Sequence, residues 1–440
     1  MSGHSHKIPT KKNPSANEGR RYRAYPTPDT DARMMAWGHT RRALRNLALE
    51  QRQLAWEICH KGLNFAAQYK DVAAVRAECD WVEDFPAQAA QQVLLQLDQA
   101  YKNWWNPDHP AGAPAFEKRS GTLRFSLPGQ AVEVRKISKH WAEARVPKVG
   151  WVRFRLSRPL GGLICNATFT KSGGAWHVAF GVAVARQAAP PNGRPLCGAD
   201  FGVACSAYVS DEDAPRLMPP SLTAGEQRRL LGLERRKARQ ITSAKRHNGG
   251  RYSKRLRRTI AQIARLKAKQ ARRRLDFTHK LTTDLAKNHG FVGIEDLHVM
   301  SMTASAKGTV EAPGSNVAQK AGLNRGILDN IPGERRRQLA YKAPWYGSAL
   351  VVVPAPFTSQ TCAECHKPDP QSRPGCGRAF ACVHCGHQDH ADHNASMVVA
   401  QRAELSIAGG QPVNSAGRRK PSPCRKARGA SANHPARRAA

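Results

Sequence analysis

The chain has 440 residues, 40% of them apolar, enough for two to four domains with real cores. Its charge is lopsided, 70 Lys and Arg against 33 Asp and Glu, a formal net charge of +37. Such a field serves no small-molecule enzyme and suits a polyanion, whose phosphates release condensed counterions when neutralised. Attraction to a membrane surface would need an amphipathic anchor, and the sequence shows none. No stretch reaches the ~20 apolar residues of a membrane span. The longest, Ala349 to Phe357, is broken by Pro354 and Pro356. Residues 1–20 are polar and basic, unlike a secretory signal, so a cytoplasmic location is expected. There, 11 cysteines argue for metal binding over disulfides.

In chain order, residues 1–20 read as a disordered basic arm. From about 29 to 105 the apolar period is helical. Trp37, Leu44, Leu47 and Leu54 mark one stripe, and Leu94, Leu97, Tyr101 and Trp104 another. Trp104 and Trp105 read first as bundle core, with base stacking as the sharper alternative. The period then becomes two. Val152-Arg153-Phe154-Arg155-Leu156 alternates, and Trp176, Val178, Phe180, Val182 and Val184 line one face of a further strand. Lys171-Ser172-Gly173-Gly174 reads as the hairpin turn before it. Residues 110–188 are therefore expected to form a β-barrel or sandwich with outward Arg and Lys.

A mixed α/β region begins near Leu196. A short strand runs through Asp200, and two long helices are expected at about 224–242 and 252–288. Between Gln227 and Arg274 lie 19 Lys or Arg against a single acid, Glu234. Solvated helix faces usually mix signs, so this hairpin reads as a polyphosphate track, docked through Leu256, Ile260 and Ile263. From Ser406 the sequence reads as a disordered basic tail.

Three segments carry an acid at the end of an apolar run or at a helix start: Leu196 to Val203 with Asp200, Phe291 to Leu297 with Glu295, and His390 to Ser396 with Asp392. Carboxylates in such surroundings are costly unless a cation offsets their desolvation and repulsion. Oxygen donors select Mg²⁺ or Mn²⁺, and two such ions can drive phosphodiester hydrolysis. Asp296 should point to the opposite strand face. Cys362, Cys365, Cys382 and Cys385 form a CxxC…CxxC pair suited to one tetrahedral Zn²⁺ in a closed, structural site. Cys376 lies in the loop between the pairs and is not expected to be a ligand, though it could replace one, and His366 and His384 are likewise expected bystanders.

Together these residues resemble the TnpB family of transposon-encoded, RNA-guided DNA nucleases, relatives of the miniature type V CRISPR effectors. The matching pieces are Tyr22-Arg23-Ala24-Tyr25-Pro26-Thr27-Pro28, Pro147-Lys148-Val149-Gly150-Trp151, Gly198-Ala199-Asp200-Phe201-Gly202, Gly293-Ile294-Glu295-Asp296-Leu297 and Phe357-Thr358-Ser359-Gln360-Thr361-Cys362. The ribbon running into Asp392-His393-Asn394-Ala395 completes the set. The resemblance covers roughly residues 21–405. It implies a wedge β-barrel at 21–29 and 109–190 with a helical recognition region, 30–108, inserted. It also implies an RNase H-like RuvC domain, a mixed sheet flanked by helices, at 191–359 and 388–405. A zinc ribbon at 360–387 interrupts that domain, and a basic tail, 406–440, follows.

The implied activity is cleavage of double-stranded target DNA beside a short flanking motif. A guide RNA pairs with the target, and Asp200, Glu295 and Asp392 bind Mg²⁺ (or Mn²⁺). The implied setting is a prokaryotic nucleoid, with the protein a monomer or dimer. Family members often carry an acid where His390 stands, and Pro344 falls where a helix usually continues. Two other readings share these residues: an RNA-guided binder that represses by occupancy without cutting, and a resolvase or transposase that needs no RNA.

Overall fold

The computed structural model describes residues 16–410 apart from 108, 110, 120–121, 185–188, 248 and 375–377. The arm before residue 16, the tail beyond 410 and Cys376 lie outside the described residues. The described residues fall into two compact units, one of residues 34–121 and one of residues 16–33 together with 122–410.

The chain opens with β1 (Ala16–Tyr25) and continues through α1 (Pro28–Cys59), α2 (Phe65–Glu78), α3 (Asp80–Glu83) and α4 (Ala87–Trp105). In the helical unit, Ala48, Leu49, Leu94 and Leu97 form a core edged by Phe65, Val72 and Tyr101. Trp37 packs on Phe85 with ring centroids 5.9 Å apart, and its indole N–H donates to Asp84 Oδ2 at 2.8 Å. The expected α1 stripe is half right, because Trp37 and Leu44 are buried while Leu47 and Leu54 are exposed. The helix instead buries Met34, Trp37, Arg41, Leu44, Ala48 and Arg52, three or four residues apart. Glu117 satisfies Arg41, and Gln68 with Asp98 satisfies Arg52.

The core reading of Trp104 and Trp105 is corrected: they are 43% and 65% exposed. Helix α4 packs through Ala89, Ala90, Val93, Leu94 and Leu97, and its last turn carries both indoles to a cavity of about 370 Å³.

Strands β2 (Leu123–Pro128), β3 (Glu133–Ser138), β4 (Trp141–Val146), β5 (Gly150–Arg155), β6 (Leu163–Ser172) and β7 (Ala175–Val184) join β1. They make one seven-stranded sheet in the order β2-β6-β7-β1-β5-β4-β3, antiparallel throughout. No β2–β3 pairing that would close a ring is among the strand pairs of the described residues. Val152, Phe154, Trp176, Val178, Phe180 and Val182 are buried, as their alternation requires, and Arg153 and Arg155 face outward. The β6–β7 turn puts Gly173 and Gly174 at φ +59° and +78°, the left-handed pair that a two-residue hairpin demands. β1 begins at Ala16, before the expected boundary at 21. Its first residues are polar, but their backbone pairs with β7 from Ala16 to Ala24.

The remaining elements are β8 (Leu196–Asp200), β9 (Tyr208–Val209), α5 (Ala224–His247), α6 (Lys254–Asn288), β10 (Phe291–Glu295), α7 (Val299–Met302), α8 (Val317–Asp329), α9 (Pro332–Lys342), β11 (Ala349–Val353), β12 (Ala379–Ala381), β13 (Gln388–His390) and α10 (Ala391–Ala408). A mixed sheet runs β11-β10-β8-β9, parallel except for β9. One face packs Cys197, Ala199, Val292, Ile294 and Leu350 against Leu281 and Leu285 of α6 and Leu339 of α9. The other packs Leu196, Phe291, Val351 and Val353 against Val399, Ala403 and Ile407 of α10.

In the basic hairpin α5–α6, Leu256 and Ile263 are buried and Ile260 is half-buried. Pro344 sits in a short 3₁₀ turn, Ala343–Tyr346, directly after α9, so the helix stops before the proline. Helix α10 runs to Ala408, so the first residues expected in the tail are helical. Among the described residues, no helix is long and apolar enough to cross a membrane.

Candidate active site and metal centre

Strand alternation decides which side chains share a face. Leu196, Gly198 and Asp200 alternate with Cys197 and Ala199, and Phe291, Gly293 and Glu295 alternate with Val292 and Ile294. Since β8 and β10 pair in parallel with Gly198 beside Gly293 and Ala199 beside Ile294, Asp200 and Glu295 end neighbouring strands in step, on the face covered by α10. Asp392 occupies the first turn of α10, where the helix dipole favours a carboxylate.

Glycine lets that helix lie directly on the strands. A Cβ at Gly198 would stand 2.1 Å from the Ser396 carbonyl oxygen and 2.4 Å from the Ala400 nitrogen, and one at Gly293 would stand 2.9 Å from Ala403 Cβ. A Cβ built on Gly202 would lie 3.8 Å from Asp392 Oδ2, so the third acid overhangs the turn that follows Asp200.

Burial, then the charges of Glu295 and Asp392, push the Asp200 carboxyl up to about 8. Burial also raises Glu295, against the lowering effect of a hydrogen bond with Thr358 and the charge of Arg402. Half-buried oxygens that repel one another are the donor set a hard divalent cation takes. Asp200, Glu295 and Asp392 do not form a group whose ligand atoms all lie within 4.8 Å of one another. Among the described residues, the two groups of His, Cys, Asp or Glu whose ligand atoms all lie within 4.8 Å of one another are the four ribbon cysteines and Cys205–His390–Asp392. Asp296 pairs with Arg336 of α9, on the opposite face from Glu295.

The ribbon brings Cys362 Sγ within 3.7 Å of Cys385 Sγ, and Cys365 Sγ within 3.6 Å of Cys382 Sγ. Zinc–sulfur bonds of about 2.3 Å in a tetrahedron hold the sulfurs about 3.8 Å apart, so the four thiols fit one zinc ion. Each CxxC forms a knuckle: His366 N–H donates to Cys362 O and Gly386 N–H to Cys382 O, both at 3.0 Å. His366 and Gly386 take the equivalent left-handed position, φ +60° and +76°. Neither His366 nor His384 belongs to the four-sulfur group; His384 pairs with Asp369 at 3.2 Å.

Three participants escaped the sequence reading. Asn394 ties the first knuckle to α10, accepting from Ala363 N–H at 2.9 Å and donating to Thr361 O at 2.8 Å. Thr358 holds Glu295, and Cys205 stands beside Asp392. Asn394 and Thr358 lie inside quoted motifs, which was their only signal; nothing near Cys205 marked it.

Residues 333–399 match the Cas12f1-like TNB domain family, and residues 179–306 match the family OrfB_IS605, described as "Probable transposase". The chain is 35% identical over 338 residues to the Escherichia coli (strain K12) protein named "Putative RNA-guided DNA endonuclease InsQ", covering 77% of this chain and 80% of that protein. It is 26% identical over 364 residues to a Streptomyces pristinaespiralis protein named "Putative RNA-guided DNA endonuclease", covering 78% and 79% respectively. Among solved structures, a Cas12f1–sgRNA–target DNA complex aligns with a TM-score of 0.38 at 12% identity, over 88% of this chain and 98% of that one.

Proposed function

The chain belongs to the TnpB family of RNA-guided DNA endonucleases, and on that premise we propose that it cuts target DNA at a RuvC-type site made of Asp200, Glu295 and Asp392. The observation that carries this reading is the parallel register of β8 and β10, with Asp200 and Glu295 in step beneath α10 and Asp392. Bound there, Mg²⁺ or Mn²⁺ would activate the attacking water and stabilise the leaving oxygen. Asp200 gives up its proton to act as a ligand, against the burial and repulsion that raise it. Glu295 is oriented by Thr358, and Asp392 is fixed by the start of α10.

On this reading the four-stranded sheet with α6, α9 and α10 is the RNase H-like domain at 191–359 and 388–405. The seven-stranded sheet is the wedge domain, the helices at 30–108 form the recognition region, and 360–387 is a zinc ribbon. A guide RNA pairs with the DNA, and the exposed arginines of α5 and α6, among them Arg228, Arg235, Arg255 and Arg258, hold phosphates.

Repression without cutting would fit a chain that had lost one of the acids, and this one keeps all three. The test is plasmid cleavage by the protein with its copurified RNA and Mg²⁺, alongside Asp200→Ala. Cutting is expected to vanish in the variant while target binding persists. Loss of both would make Asp200 a structural residue.

A further inference from the structure

We propose that Cys205, His390 and Asp392 form a second divalent-metal site, selective for a borderline-soft ion such as zinc, which shares Asp392 with the carboxylate cluster and silences it when filled. The ligand atoms of the three residues lie within 4.8 Å of one another. Zinc bonds of about 2.0–2.3 Å to O, N and S place such donors somewhat over 3 Å apart, so side-chain rotations of roughly 1 Å close the site. One sulfur, one nitrogen and one oxygen with a fourth position left for water is the arrangement of an open zinc site. Mg²⁺ has no affinity for thiolate, whereas zinc outranks Mn²⁺ at N/S donors.

Rigid elements hold all three positions. Cys205 is buried in the bend between β8 and β9. That bend is fixed at the next residue: the buried Arg335 guanidinium donates to the Ser206 carbonyl, and Ser206 Oγ accepts from Met218 N–H at 3.1 Å. His390 closes β13 and caps α10, its ring lying 5.3 Å from that of Tyr208. Its Nδ1 accepts a long hydrogen bond, 3.2 Å, from Asp392 N–H, a weak contact that coordination would replace. Of the charges acting on Cys205, Arg378 opposes a cation, while Asp200 and Asp392 favour one.

In the silencing claim, a filled Cys–His–Asp site draws Asp392 toward zinc and away from the Mg²⁺ cluster. The binding claim stands on the three residues alone; the silencing claim rests on the proposed role of Asp392 in cutting.

The test counts zinc in the full chain with its bound RNA, equilibrated with zinc and dialysed against a weak competitor. The comparison is between wild type, Cys205→Ser and His390→Asn, the last of which retains a helix-capping side chain. Two zinc ions per chain are expected in wild type and one, the ribbon's, in each variant. With cobalt as probe, the second equivalent should bring a thiolate charge-transfer band that Cys205→Ser lacks. Zinc titrated against Mg²⁺-driven cutting should inhibit wild type at concentrations about tenfold or more below those needed for either variant, each normalised to its own rate with the ribbon zinc alone.

Equal zinc content in all three proteins overturns the site. A zinc difference with equal inhibition overturns the silencing. If the protein does not cut DNA, the zinc count still decides the site, while the nuclease reading fails separately. The two variants lie on different elements, so misfolding of one, seen in its melting curve, leaves the other to decide.

Discussion

Gly198→Ala isolates the close packing that brings Asp392 to Asp200. The new Cβ would stand 2.1 Å from one backbone atom of α10 and 2.4 Å from another, where ordinary contact starts at 3.4 Å. Neither partner is a side chain that can swing aside, so β8 and α10 must separate by roughly 1 Å, an overpacking strain of about 1–3 kcal/mol. For a unit of this size that lowers the melting temperature by a few degrees, about 1.5–2 °C per kcal/mol. The larger effect is on chemistry, because a misplacement of about 1 Å at a reacting centre costs about a hundredfold in rate. Initial rates of plasmid linearisation at saturating guide RNA and Mg²⁺, with gel-shift binding to uncut target, separate the two effects. Cutting is expected to fall about a hundredfold with binding retained. Gly293→Ala, whose Cβ would meet the Ala403 methyl at 2.9 Å and the Val399 Cγ1 and carbonyl oxygen at 3.3 Å, should lose much less. Wild-type cutting by Gly198→Ala, or binding that falls in parallel with cutting, would refute the reasoning.

Other variants probe the remaining parts. With its carboxyl at about 8 against the ordinary 3.8, folded Asp200 keeps a proton that the unfolded chain releases, so stability falls as pH rises from about 4 to 8. Asp200→Asn removes that fall. In Mg²⁺-free buffer, with ribbon zinc retained, urea unfolding should show the variant equal to wild type near pH 4. At pH 8 it should be more stable, with a ceiling of about 5 kcal/mol, and Mg²⁺ should narrow the gap. Cys382→Ser should release the ribbon zinc, whose binding contributes about 10 kcal/mol or more to folding such a segment. Limited proteolysis should then cut within 362–390, and DNA cleavage should fail because Asp392 follows directly. Trp105→Ala should weaken single-stranded nucleic-acid binding about tenfold, the loss of one stacked base, without destabilising the fold. A loss of about 3–5 kcal/mol in stability would instead restore the core reading.

What the sequence disclosed divides along physical lines. The acids at 200 and 295 stood out because each interrupts an apolar strand, and the ribbon because thiolate spacing is set by local knuckle geometry. Gly198 carried no such mark. Its need to be glycine arises from Ser396 and Ala400, distant in sequence, whose approach no local pattern encodes. The stripe of α1 was misread because two of its buried positions are Arg41 and Arg52, neutralised by partners from other segments. Hydrophobicity cannot see an arginine that tertiary structure has paired. The polar start of β1 hid for a similar reason, since its place in the sheet rests on backbone pairing with β7 rather than on side chains.

The most direct test of the account is Mn²⁺ binding, followed by electron paramagnetic resonance, in wild type, Asp200→Asn, Glu295→Gln and Asp392→Asn. All three substitutions are expected to weaken the same Mn²⁺ sites and to lower cutting in step. One variant that keeps wild-type Mn²⁺ affinity and wild-type cutting would contradict a shared three-carboxylate centre.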